Sequence, residues 1–161
     1  METQTYSKEL PLDEYVRDFR DAPRFLALCR RCPRYGHGPA CPPFPDGAVE
    51  AELRRYSRIL IRAVRIAVPN PSALTYMQAN ALAAPVRRTI MAELAEQEKT
   101  LGGRALGFGS VADAAPVRPS LEAFGFDVGL TLSRLFGLQI QWSPDGVASP
   151  TALTYVAALL F

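Results

Sequence analysis

The stretch Ser57-Arg-Ile-Leu-Ile-Arg-Ala-Val-Arg-Ile-Ala-Val68 carries two readings at once. Arg54, Arg58, Arg62 and Arg65 recur at helical spacing. Ile59, Ile61, Val64, Ile66 and Val68 supply the β-branched content that fits a pleated, half-buried surface. The β-branched content decides for a strand, which Pro69 and Pro71 end. With a strand here, helical and extended segments mix along the chain without a regular βαβ rhythm. The expected fold class is therefore α+β, with a mixed or antiparallel sheet of about four strands packed with helices.

Upstream, residues 12–30 read as helical with a break near Asp21-Ala22-Pro23, where Asp21 caps a second helix that has proline in its first turn. Phe25, Leu26 and Leu28 are expected to face the core, with Cys29 at the helix end. Asp46 is expected to cap a short helix through Leu53. Downstream, a helix begins after Ser72, and Pro85 interrupts it or starts the next. Val86, Ile90, Leu94 and Leu101 form an apolar stripe that Gly102-Gly103 stop. Ala105 to Gly109 reads as a short strand. Asp127 caps a helix to Phe136, ended by Gly137. Leu138, Ile140 and Trp142 alternate with Gln139 and Gln141 as a half-buried strand, with Trp142 in the core. Ser143-Pro144-Asp145-Gly146 is a turn, and Thr154 to Phe161 a buried strand. Only the first few residues are expected to be disordered.

Between positions 33 and 47 fall Pro33, Gly36, Gly38, Pro39, Pro42, Pro43, Pro45 and Gly47, a density that neither a helix nor a central strand tolerates. Every cysteine of the chain lies in or beside this loop, in the order Cys29-Arg-Arg-Cys32-Pro-Arg-Tyr-Gly-His37-Gly-Pro-Ala-Cys41-Pro-Pro-Phe44. Cys-x-x-Cys lets two thiolates reach one ion from a single turn, and a third cysteine returning across a Gly/Pro loop supplies most of a coordination sphere. Structural zinc takes four ligands in a tetrahedron. His37, the only histidine, is the candidate fourth, giving a Cys₃His set similar to a retroviral-type zinc knuckle. That knuckle places four residues between histidine and the last cysteine, and this loop has three. Other readings of the cysteines are an empty relic of a metal site, a redox pair at Cys29 and Cys32, and small buried hydrophobes. The redox reading needs a lowered thiol pKa, commonly from a helix N-terminus, whereas Cys29 falls at a helix C-terminus.

The segment Cys-x-x-Cys-Pro-x-Tyr-Gly…Cys-Pro-Pro-Phe, with Arg118-Pro-Ser-Leu-Glu-Ala-Phe-Gly-Phe-Asp-Val128 and Leu153-Thr-Tyr-Val156, resembles an uncharacterised prokaryotic family of predicted metal-binding proteins, a domain of unknown function. The resemblance runs from about Phe25 onward. It implies metal binding at Cys29, Cys32 and Cys41, as zinc or an iron–sulfur centre. Members of that family carry a second, ferredoxin-like cysteine cluster just before the Arg-Pro-Ser segment. Here that stretch, Gly107 to Arg118, has no cysteine and looks shortened. Three cysteines cannot supply a cluster held by four.

The 161 residues suit one domain, 1–161, with the cysteine loop 29–45 inside it. A net charge of +2 gives no general electrostatic case for nucleic acid or membrane. Arg24, Arg30, Arg31, Arg34, Arg54, Arg55, Arg58, Arg62 and Arg65 nevertheless crowd the first 65 residues. The plain reading is a solvated face; the functional one is a contact surface for single-stranded nucleic acid or a protein partner. No apolar run reaches a membrane span, and Met1-Glu2-Thr3-Gln4 does not open a signal peptide, so the expected location is the cytoplasm, where thiols stay reduced. No P-loop, Gly-x-Ser-x-Gly or His-Glu-x-x-His occurs, so nothing marks the chain as an enzyme by itself. Gly107-x-Gly109 reads as a tight turn rather than a nucleotide fingerprint. Arg118, Glu122 and Asp127 form a polar cluster that could bind an anion, the preferred reading being that it pairs internally and caps a helix.

Overall fold

A computed structural model describes residues 1–108, 117–143 and 146–161. The stretch 57–68 is indeed a strand, β2 (Arg58–Ala67). It pairs antiparallel on one side with β1 (Thr3–Pro11) and on the other with β4 (Ala152–Leu160). The short β3 (Arg104–Leu106) adds to β4, giving one antiparallel sheet in the order β1-β2-β4-β3. Among the described residues six α-helices surround it: α1 (Leu12–Phe19), α2 (Ala22–Cys29), α3 (Ala48–Leu53), α4 (Tyr76–Leu82), α5 (Ala84–Leu101) and α6 (Val128–Phe136). The molecule is thus α+β, with a four-stranded antiparallel sheet.

The ambiguity of β2 has a structural cause. Both faces of the strand are covered, so its side chains do not alternate apolar with polar. Ile59, Ile61 and Ala63 join Val156, Ala158 and Leu160 of β4 in one core, closed by Leu12, Tyr15 and Phe19 of α1, by Leu132 of α6 and by Phe124 and Phe126. Val64 and Ile66 join Leu153, Ala157 and Leu159 in a second core on the opposite face, closed by Ala79 of α4 and by Ile90, Met91 and Leu94 of α5. Arg58 and Arg62 belong to the strand, paired with Glu9 of β1 and with Glu93 of α5 respectively.

The helix ends follow their sequence signals closely. Asp21 accepts from the Arg24 backbone N–H at 3.2 Å and starts α2, and Asp127 accepts from the Leu130 N–H at 2.8 Å and starts α6. Thr75 and Gln78 form a reciprocal capping box at α4. Pro85 starts α5 rather than breaking it, and Gly102 and Gly137 close α5 and α6.

Several expectations are corrected. The N-terminal residues pair as β1 from Thr3 onward; the mostly polar run Thr-Gln-Thr-Tyr-Ser-Lys is an exposed edge strand that backbone pairing on β2 defines, with little apolar signal. Residues 138–142 form no strand, and Trp142 is 77% exposed. The segment is held by its Gln141 side chain, whose Oε1 accepts from the Thr151 hydroxyl at 2.8 Å and the Ala152 N–H at 3.0 Å, in place of a backbone ladder. Gly47, in left-handed conformation, precedes α3 with no side-chain cap, so Asp46 does not cap it. The helix expected after Ser72 starts only at Tyr76, behind a 3-10 turn at Pro71–Ala73. Leu101 lies exposed at the end of α5. Of the proposed α2 core residues only Phe25 is buried; Leu26 and Leu28 are exposed. Gly109 and the Pro144-Asp145 turn residues lie outside the described residues, as does most of the cysteine-free stretch before Arg118.

Candidate metal centre

Backbone hydrogen bonds bring the cysteines together. Cys29 is the last residue of α2, and its carbonyl accepts from the Cys32 N–H at 2.9 Å, so the Cys-x-x-Cys pair spans one tight turn. The Cys32 carbonyl then accepts from the Tyr35 N–H at 3.0 Å. The Gly36 N–H donates to the Pro42 carbonyl at 2.7 Å, which folds the Cys41 end of the loop back over the Cys32 end. Gly36 has φ +76°, a conformation that side-chain-bearing residues rarely adopt, so the fold-back uses glycine for a backbone reason.

The loop is anchored at both ends to the same turn, residues 120–125. At the start of α2, the Asp21 N–H donates to the Gly125 carbonyl at 2.8 Å. Gly125 has φ +89°, and a Cβ placed there would lie 2.8 Å from the Ala22 Cα, so only glycine allows this approach. At the far end, Phe44 stands edge-on to Phe124, ring centroids 6.0 Å apart. Arg24 adds an ion pair to Asp127 at 3.1 Å.

Cys29, Cys32 and Cys41 all line one cavity of about 200 Å³, with Glu122 and Ser120 from the anchoring turn and Phe108 from beyond β3. All three are free thiols; Cys32 is exposed and the other two are half-buried. Burial raises the Cys29 thiol pKa above its ordinary value, and the neighbouring Cys32, Glu122 and Cys41 push it in the same direction. Burial likewise raises the Glu122 carboxyl, against the opposing pull of its own backbone N–H and the Ser120 hydroxyl, with Asp127 adding to the rise. Glu122 keeps some accessible surface, as a residue that also lines a neighbouring cavity of about 430 Å³ does. Burial thus disfavours negative charge at both Cys29 and Glu122. As the side chains stand, no group of three or more His, Cys, Asp or Glu among the described residues is placed to hold a metal ion.

His37 is exposed on the outer turn of the loop and is not among the residues lining the cysteine cavity. Arg34 lines its rim and is exposed. Sequence reasoning did not single out Glu122 as part of this site. It lies 81 positions beyond Cys41 (122 − 41), and no spacing rule joins the two segments. The expected internal pairing of the Arg118 cluster takes a different form: Arg118 pairs with Glu98 of α5 at 2.8 Å, while Asp127 caps α6. Of the nine arginines named from the first 65 residues, Arg24, Arg55, Arg58 and Arg62 pair with carboxylates, while Arg30, Arg31, Arg34 and Arg54 are exposed to solvent.

No protein-family model matches the chain, and no curated protein or solved structure matches it. Among the described residues no helix is long and apolar enough to cross a membrane.

Proposed function

We propose that this chain is a small metal-binding protein of a reducing compartment such as the cytoplasm, taking up zinc or an iron–sulfur centre through Cys29, Cys32 and Cys41. Its resemblance to the family of predicted metal-binding proteins fits this reading. The observation that carries it is that all three cysteines of the sequence line a single cavity, although Cys41 reaches it from the far side of a proline- and glycine-rich loop. Scattered core cysteines would not be expected to share one. The side chains must be drawn closer together for ligation, so metal uptake also orders the loop.

Structural zinc can contribute about 10 kcal/mol to the folding of small modules that lack a core. Here two apolar cores flank the sheet, and of the loop only Phe44 packs against one of them. Cys41→Ser is therefore expected to abolish or severely weaken metal uptake while the domain stays folded. The test is elemental analysis of protein purified without oxygen, beside Cys29→Ser and Cys41→Ser, with far-UV circular dichroism on each. About one equivalent of zinc or a cluster's iron in the parent, and its loss in both folded variants, is the expected result. A parent that takes up no metal ion removes the proposal.

A further inference from the structure

We propose that Glu122, and not His37, is the fourth donor of this centre, so that the loop closes on a Cys₃Glu site with Cys29, Cys32 and Cys41. This rests on the metal-binding reading above and adds the ligand that the loop itself does not provide. Three thiolates leave a tetrahedral ion one donor short, and zinc accepts a carboxylate oxygen beside sulfur. Among the described residues, Glu122 is the one carboxylate lining the cavity that the three thiols line.

Its position follows from the architecture. The turn bearing Glu122 is fixed to the start of α2 through Gly125 and Ala22, and to the end of the loop through Phe44 on Phe124. Glu122 lies between these attachments, facing the segment they bracket. No basic side chain among the described residues forms an ion pair with it: Arg118 pairs with Glu98, and Arg20 with Glu50 while donating to the Phe124 carbonyl. An acid held in a part-buried cavity with no ion-paired side chain, and beside three thiols, is placed to receive a metal ion. His37 lies outside the cavity, and its backbone is committed to a turn, the N–H donating to the Arg34 carbonyl at 3.0 Å. Three thiolates and one carboxylate leave a divalent ion with net charge −2, which Arg34 at the rim would partly offset.

The test is an anaerobic titration of the reduced full chain with Co²⁺ and then Zn²⁺, comparing the parent with Glu122→Gln, Glu122→Cys and His37→Ala. The parent is expected to bind one cobalt ion with the visible bands of a tetrahedral site. Glu122→Gln keeps the shape of the side chain and removes its charge. It should weaken binding by about a hundredfold, at or beyond the upper end of what losing a mere supporting contact costs. Glu122→Cys should restore tight binding and strengthen the sulfur-to-cobalt charge-transfer band from three thiolates to four. His37→Ala should bind as the parent does. Circular dichroism of each metal-free variant separates loss of a ligand from loss of fold. Parent-like affinity in both Glu122 variants, or loss of affinity in His37→Ala, overturns the assignment of Glu122 and leaves the three-cysteine site standing. Absence of binding in the parent overturns both.

Discussion

The three thiols share a cavity but not an environment. Cys32 is exposed, whereas Cys29 is half-buried at the end of α2 and burial holds its proton more tightly. Because the thiolate is the nucleophile, the two should differ in reactivity. In metal-free protein at mildly alkaline pH, iodoacetamide is expected to modify Cys32 first and Cys29 much later, as read by peptide mass mapping over time. Equal rates would mean that the loop opens faster than the reagent attacks. Zinc should protect all three. At this scale the sequence was informative about the grouping of the thiols and silent about their surroundings. The clustering of Cys29, Cys32 and Cys41 could be read directly, because the spacing of a tight turn is local. Glu122 could not, because its place in the site depends on where two distant segments pack.

Among the elements, the junction between α2 and the turn at 120–125 has little tolerance. Gly125 combines φ +89° with a backbone atom of Ala22 where its Cβ would stand. Gly125→Ala meets both backbone strain and an overlap that no side-chain rotation relieves. A loss of about 3 kcal/mol is expected in urea denaturation, together with weaker metal uptake, since the same junction sets the Glu122 turn against the end of α2. A variant as stable as the parent would show that α2 can shift without cost. Helix boundaries were the most legible part of the sequence, since caps such as Asp21 and Asp127 act within three residues. The segment 138–142 was misread because its alternation of apolar and amide residues imitates a strand. There the amide of Gln141 holds the backbone of Ala152 without continuing a ladder.

For the whole molecule, stability resides in the sheet and its two cores, and the proposed metal chemistry in a loop attached to one side of it. Leu159 is fully buried in the core beneath α4 and α5, on the opposite face from the core that Phe124 joins. Leu159→Ala is expected to cost about 3 kcal/mol through lost transfer energy and the cavity left behind, while leaving metal affinity in the folded protein unchanged. Calorimetry and metal titration on one preparation separate the two. A parallel fall in affinity would show that the sheet and the loop are energetically coupled. The α+β class was readable from the sequence once β2 was taken as extended. The strand order was not, because β1 offers little apolar signal and its partner residues lie 47 (58 − 11) to 63 (66 − 3) positions away.

That strand order has a consequence during synthesis. β2 is flanked by β1, which leaves the ribosome early, and by β4, which leaves it after every other element of the sheet. Until β4 emerges, the apolar faces of β2 have no central neighbour, and the cysteine-bearing segment waits through some eighty residues of translation for the turn that is to cover it. A nascent chain of this kind would offer its thiols to whatever ion or oxidant is at hand. Loading of the proposed four-donor site would therefore follow the emergence of Glu122 rather than of the thiols alone.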